Sequence, residues 1–317
     1  MEKNLYESLE TTLNALQSDA EKVDETNCEQ LFFFFRKLFD DMEREFHAAG
    51  FREKSIHGVE NILVVRTDVI GDFILTSGFI RELRKNFPKA RITLVVSSLV
   101  FPIAELCPYV NEVFQCDAKT FGKKFSDVLK NVSAFCRKNL WHKHFTKAFT
   151  PQWGSDNLGA ILTAFLSGAQ ERIGYGTIPY KNLMPDLQIP DEHPAQVSDN
   201  EMLTKNLAVP TDWKKEVEKH LGLLLLAGFQ LEETNMELWY GEEDFRRAEK
   251  FLSQLPPGKK AVIGLGAGDT GRQYPVEKWV TALTEINRRG INFVIVGGEG
   301  EKNRQTFYTK IYRKELF

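Results

Sequence analysis

Asp68, Gly71 and Asp72 lie in one short polar break that follows the apolar run Ile62-Leu63-Val64-Val65. A carboxylate in such a loop can take a proton from an attacking hydroxyl, the work of a general base. Aspartate beside a helix start can also do no more than cap it, and there the N–H donors and the dipole lower its pKa. For Asp72 both readings stand on the residues alone, and Asp68 could orient loop or ligand hydroxyls. A second loop of interest is Gly266-Ala267-Gly268-Asp269-Thr270-Gly271-Arg272. Its glycines let backbone N–H groups approach a ligand, a following helix N-terminus favours an anion, and Arg272 can fork onto phosphate. The alternative is a plain strand-to-helix turn with an exposed arginine. The third glycine and the later acidic residue of a dinucleotide fingerprint are missing, which argues against a nicotinamide enzyme. His142 and His144 form an H-x-H pair that could bind metal from one strand face, yet no cysteine or carboxylate partner is evident, so no metal is expected.

The elements around these residues must position them. Residues 61–66 read as a strand, and the pattern Phe73, Ile74, Ser77, Ile80, Leu83, Phe87 as the helix after it. Strand, loop and helix in that order place Asp72 above the carboxyl edge of a sheet, where open α/β sheets bind ligands. Further strands are expected at 92–96, 112–114, 145–150 and 172–175, with helices over 101–106, 121–139 and 157–166 between them. That alternation implies parallel pairing through right-handed crossovers. Residues 176–200, with four prolines, read as a long loop, and 211–229 as a helix bridging two domains. A helix at 242–254 precedes a second strand-loop-helix-strand unit, with strands at 261–265 and 291–296. Its helix starts at Pro275, carries Trp279, Leu283 and Ile286 on one face, and is capped by Gly290. Near the N-terminus, Leu31, Phe35, Leu38, Met42 and Phe46 recur at helical spacing, widened by Phe32, Phe34 and Phe39. Packing on the first domain is the expected use of that stripe. The expected divisions are a helical extension at 1–55, a Rossmann-like domain with its linker at 56–235, and a partial domain at 236–317.

Composition narrows the function. The 317 residues carry 41 basic and 44 acidic side chains, a net charge of −3, with 42% apolar residues. A two-domain globular protein follows, with no broad pull toward nucleic acid. Four scattered cysteines fit reduced thiols. The polar, acidic N-terminus is unlike a secretion leader, and the apolar runs are far short of the ~20 residues that span a bilayer. A cytoplasmic protein is expected, with contact at the inner membrane surface left open.

Five pieces in sequence order resemble glycosyltransferase family nine, the ADP-heptose:lipopolysaccharide heptosyltransferases. They are Arg66-x-Asp68-x-x-Gly71-Asp72 with Leu75-Thr76 and Phe87-Pro88-x-Ala90-x-Ile92; Pro108-Tyr109-Val110-Asn111-Glu112-Val113; Leu166-Ser167-Gly168-Ala169 with Arg172-Ile173-Gly174-Tyr175; Gly266-Ala267-Gly268 with Arg272-x-Tyr274-Pro275-x-Glu277-Lys278-Trp279; and Gly297-Gly298-x-Gly300-Glu301. The resemblance implies a GT-B fold, two Rossmann-like domains facing a cleft, and inverting transfer from an ADP-sugar to a lipid-linked saccharide, with no cofactor and no metal. Asp72 falls on the family's catalytic base; Arg66, Asp68 and Gly71 fall at the acceptor; Gly266, Gly268, Thr270 and Arg272 fall at the donor diphosphate. Tyr274 replaces the family's usual tryptophan. The later D-[ST]-G-x-x-H segment of the family does not appear. The second domain is therefore expected to be incomplete, leaving Val262, Ile263, Val294 and Ile295 uncovered. A non-catalytic glycan- or partner-binding remnant is the alternative.

Overall fold

The computed structural model describes residues 6–51, 53, 58–118, 124–154, 159–176, 201–264, 266–267 and 270–298. Two compact units result, Met1–Trp239 and Tyr240–Phe317. In the first, α1 (Glu7–Ala20) and α2 (Cys28–Ala48) precede β1 (Asn61–Arg66), α3 (Ile70–Asn86), β2 (Arg91–Val96), α4 (Phe101–Ala104) and β3 (Glu112–Gln115). There follow α5 (Phe125–Asn139), β4 (Lys147–Thr150), α6 (Ala160–Leu166), β5 (Glu171–Tyr175), β6 (Lys205–Leu207) and α7 (Glu216–Ala227). The six strands pair in parallel in the order β3-β2-β1-β4-β5-β6. β6 is an addition to the expected strands. The proline-rich loop lies almost wholly outside the described residues.

Both faces of this sheet are covered, which is why β1 reads as one continuous apolar run rather than an alternating one. Leu63 and Val65 face α1, α2, α5 and α6, whereas Ile62 and Val64 face α3 and α7. The aromatic stripe of α2 belongs to the first core: Leu31, Phe34, Phe35, Leu38, Met42 and Phe46 are all buried. Asn27 starts that helix by accepting from the N–H groups of Glu29 and Gln30, both at 3.1 Å. A polar tie adds to the packing. Arg172 on β5, nearly fully buried, donates to Glu43 of α2 at 2.7 Å and to the carbonyls of Met202 and Ala169.

The helix expected to bridge two domains lies wholly in the first unit. Its apolar face, with Leu223 and Leu224, joins the core beside α3. The chain then runs along α3 and is tied to it. Arg81 donates to the carbonyls of Asn235 (2.9 Å) and Glu233 (3.1 Å) and to the Glu237 carboxylate (2.8 Å). Glu82, fully buried, accepts from Arg81 at 3.0 Å and from the Glu232 N–H at 2.7 Å, and pairs with Lys85 at 3.1 Å. Burial alone would raise the Glu82 pKa; these donors outweigh it and hold the carboxyl below its ordinary value. Gly78 is needed where this strand-like segment crosses the helix, since a Cβ there would meet the Asn235 carbonyl at 2.8 Å.

The second unit contains α8 (Glu242–Ser253), β7 (Lys260–Gly264), α9 (Val276–Arg288) and β8 (Asn292–Val296), with β7 and β8 in parallel. Pro275 is the residue before the first turn of α9 rather than within it. Gly290, at φ 68°, ends α9 as expected; the Ile291 N–H returns to Ile286 and the Gly290 N–H to Asn287. The expectation of four uncovered side chains holds for one face only. Ile263 and Ile295 pack under Leu283, Trp279 and Ile286 of α9, because alternate strand residues point to opposite faces. Val262, on the other face, is 69% exposed.

Candidate functional site

The strand order 3-2-1-4-5-6 reverses direction between β1 and β4, and the crevice at that switch, outside the carboxyl ends of the strands, is the ligand position of doubly wound sheets. Arg66, the last residue of β1, spans it. Its Nη1 donates to the carbonyl of Pro151, just past β4, at 3.1 Å. The same Nη1 lies 3.3 Å from the Asp68 carboxylate, and both side chains are largely buried. Asp68 is fixed from its other side too, since its carbonyl accepts from Ser97 Oγ beyond β2 at 2.8 Å. Val69 then takes extended backbone and α3 begins, with Gly71 exposed and Asp72 half-buried as its second and third residues. Arg66, Asp68, Gly71 and Asp72 therefore stand together at one sheet edge.

α7 brings a second set of polar side chains to this edge. Arg66 Nη2 is 3.3 Å from His220 Nε2, and His220 Nδ1 is 3.4 Å from Thr76 Oγ1. Thr76 in turn donates to the Asp72 carbonyl at 2.8 Å. Burial, with the Arg66 guanidinium beside it, brings the His220 pKa down to about 4, so the ring is neutral near pH 7. One turn earlier, Glu216 accepts from the Trp153 indole N–H and from Lys219 Nζ (3.0 Å). The Lys219 ammonium sits 3.2 Å from the centre of the Trp153 ring. Burial works to raise the Glu216 pKa, but Trp153 and Lys219 prevail and lower it. Tyr175 at the end of β5 donates to the Lys219 carbonyl at 2.6 Å.

Trp153, Glu216, Lys219 and His220 escape a reading of the sequence. The available signal is Glu216-x-x-Lys219-His220 in the first turns of a helix that continues as Leu221-Gly222-Leu223-Leu224-Leu225-Leu226. Charged residues there need a reason to be buried, and the partner of His220 lies 154 residues away.

The donor-side residues lie in the second unit. Gly266 is exposed after β7, and Thr270–Arg272 forms one turn of 3-10 helix with Arg272 exposed. Gln273 braces the loop by donating to the Ala267 carbonyl at 3.0 Å. Tyr274 meets Trp279 edge-on, ring centres 5.4 Å apart. Gly268 lies outside the described residues. His142 is in a 3-10 turn, not a strand, and His144 contacts Phe51 and Tyr6. Among the described residues, no three His, Cys, Asp or Glu side chains are grouped to hold a metal. No described helix is long and apolar enough to cross a membrane.

A parallel α/β sheet with a polar site at its switch point, followed by a smaller α/β unit, is the architecture of GT-B-like proteins, and solved structures with that fold are similar to this chain. The family 9 glycosyltransferase of Veillonella parvula superposes with a TM-score of 0.60 at 17% identity, over 79% of this chain and 66% of that one. ADP-heptose lipopolysaccharide heptosyltransferase II of Escherichia coli gives 0.58 at 14% identity, over 79% and 68%. The E. coli heptosyltransferase WaaC with ADP gives 0.51 at 17% identity, over 79% and 72%. A provisionally named glycosyltransferase of Haemophilus influenzae is 30% identical over 76 residues, 24% of this chain. That match spans 22% of the relative's own length. No family model matches the chain.

Proposed function

We propose that this protein is an inverting glycosyltransferase that moves a heptose or related sugar from an ADP-sugar to a lipopolysaccharide core or related surface glycan. The observation that carries the reading is the position of Asp72, in the first turn of α3 at the switch point of a sheet whose fold matches family 9 enzymes. An acceptor hydroxyl would attack the anomeric carbon as its proton passes to the Asp72 carboxylate. The bond from that carbon to the diphosphate oxygen breaks, and ADP leaves. Asp68, held by Arg66, would orient the acceptor over the Gly71 backbone. Arg272, Thr270 and the N–H groups of Gly266 and Gly268 would stabilise the departing diphosphate. Structures of similar fold with ADP and with ADP-2-deoxy-2-fluoro heptose support an ADP-sugar as donor.

Asp72→Asn tests the base. Transfer should fall by at least about 100-fold, the contribution of a general base, while ADP affinity stays within about twofold, since the carboxylate is assigned to the acceptor side. Unchanged transfer defeats the assignment. ADP binding without turnover in the native chain would instead favour a glycan-binding protein that has kept the fold.

A further inference from the structure

Resting on that reading, we infer that His220 is a positioning residue, joining the Arg66–Asp68 pair at the end of β1 to the turn of α3 that carries Asp72. The geometry fixes how the ring must be used. A guanidinium only donates, so His220 Nε2 accepts from Arg66 Nη2 at 3.3 Å. A neutral imidazole then keeps its proton on Nδ1, which lies 3.4 Å from Thr76 Oγ1. Thr76 has spent its own hydroxyl hydrogen on the Asp72 carbonyl, 2.8 Å away, and so is left to accept. One directed chain results: Arg66 to His220, His220 to Thr76, Thr76 to the backbone of Asp72.

The surroundings keep the chain in this sense. His220 is 1% exposed. It is faced by Arg66 from β1, by Asp68 from the loop after it and by Glu216 from its own helix, and the Leu75 carbonyl of α3 accepts from the ring beside Thr76. Burial opposes a second proton on the ring, and the cation beside it opposes it further. Arg66 thus keeps one nitrogen on His220 and another shared between Pro151 and Asp68. Loss of the imidazole would free the guanidinium to turn, and Asp68 with it. Position 220 needs an acceptor toward Arg66 and a donor toward Thr76 on one side chain, which glutamine also provides and leucine does not.

Two measurements on the full chain decide the matter. In the first, ring nitrogens of 15N-histidine protein are observed at pH 7, with His220 assigned by the loss of its signals in His220→Gln. A neutral ring with the proton on Nδ1 is expected; a proton on Nε2, or an imidazolium, overturns the inference. In the second, transfer is followed in both variants. His220→Leu should lower kcat about 10-fold or more, the scale of one buried donor left unsatisfied. Its KM for the ADP-sugar should stay within about twofold, and His220→Gln should recover most of the rate. Equal rates in all three proteins, or equal losses in both variants, overturn the positioning role. Should the leucine variant fail to fold, the nitrogen spectrum decides. Absence of transfer in the native chain would defeat the glycosyltransferase reading itself, and the spectrum would then judge the hydrogen-bonded chain alone.

Discussion

Acid should loosen this protein before its carboxylates are protonated, and His220 should be the cause. Its pKa is held at about 4 in the fold against 6.5 for an ordinary histidine. As pH falls below the unfolded value the unfolded chain takes up a proton that the folded chain refuses. The stability His220 contributes is therefore complete above pH ~6.5 and is lost progressively toward pH ~4. At pH 5 the loss is about 2 kcal/mol, and over the whole window about 3 kcal/mol. The carboxylates Glu82, which is buried, and Glu60, Glu112 and Glu237, which are half-buried, work in the same direction, but their stability is present above an unfolded pKa of 4.5 and lost below it. Between pH 7 and pH 5 each contributes only a few tenths of a kcal/mol. His144, also lowered by burial, adds in the same direction but is common to both proteins and cancels in their difference. The assay is urea unfolding of the native chain and of His220→Gln at pH 7, 6 and 5. The variant should start less stable, and the gap should narrow by about 2 kcal/mol by pH 5. A gap that is constant across this range would refute the argument that His220 is buried neutral beside Arg66.

Three other outcomes follow from the packing. Glu82→Ala leaves Arg81, Lys85 and the Glu232 N–H facing an empty site, and should cost about 3–5 kcal/mol in urea unfolding; a loss under about 1 kcal/mol would mean that water replaces the carboxylate. Phe46→Ala should cost about 3–5 kcal/mol of first-unit stability, because α2 is part of that core rather than an appendage; a change within ~0.5 kcal/mol, the range of surface substitutions, would contradict this. Limited proteolysis should cut residues 240–317 before 60–175, since α8 buries no side chain and one face of the β7–β8 pair is open; equal resistance of both segments would contradict it.

Much of the first unit is legible in the sequence for local reasons. β1 is an apolar run too short for a helix, ended by polar residues and followed by a helical period, so Asp72 can be placed at a sheet edge without coordinates. The stripe of α2 is equally plain because its spacing is helical over four turns. What resists reading is long-range. Arg66 is placed at the acceptor by the family resemblance alone; that it bridges β1 to the segment after β4 depends on which strands are neighbours. His220 lies where the charged first turn of a helix gives way to an apolar run, and its meaning comes from partners on β1 and α3. The bridging role expected of α7 fails for a related reason: periodicity gives a helix its apolar face but does not say which layer will cover it. In the second unit Val262, Ile263, Val294 and Ile295 all read as uncovered; Val262 is exposed, whereas Ile263 and Ile295 are covered by α9, a packing that the sequence pattern did not supply.

The central claim is that a sugar leaves ADP for an acceptor hydroxyl under the action of Asp72. The most direct measurement is to incubate the native chain and Asp72→Asn with ADP-heptose and a lipopolysaccharide core lacking heptose, and to follow ADP release and acceptor mass together. The account predicts a mass gain of one heptose per ADP released by the native chain, and neither product from the variant. ADP release at the same rate from both proteins, or an intact donor and no ADP binding in the native chain, would contradict it.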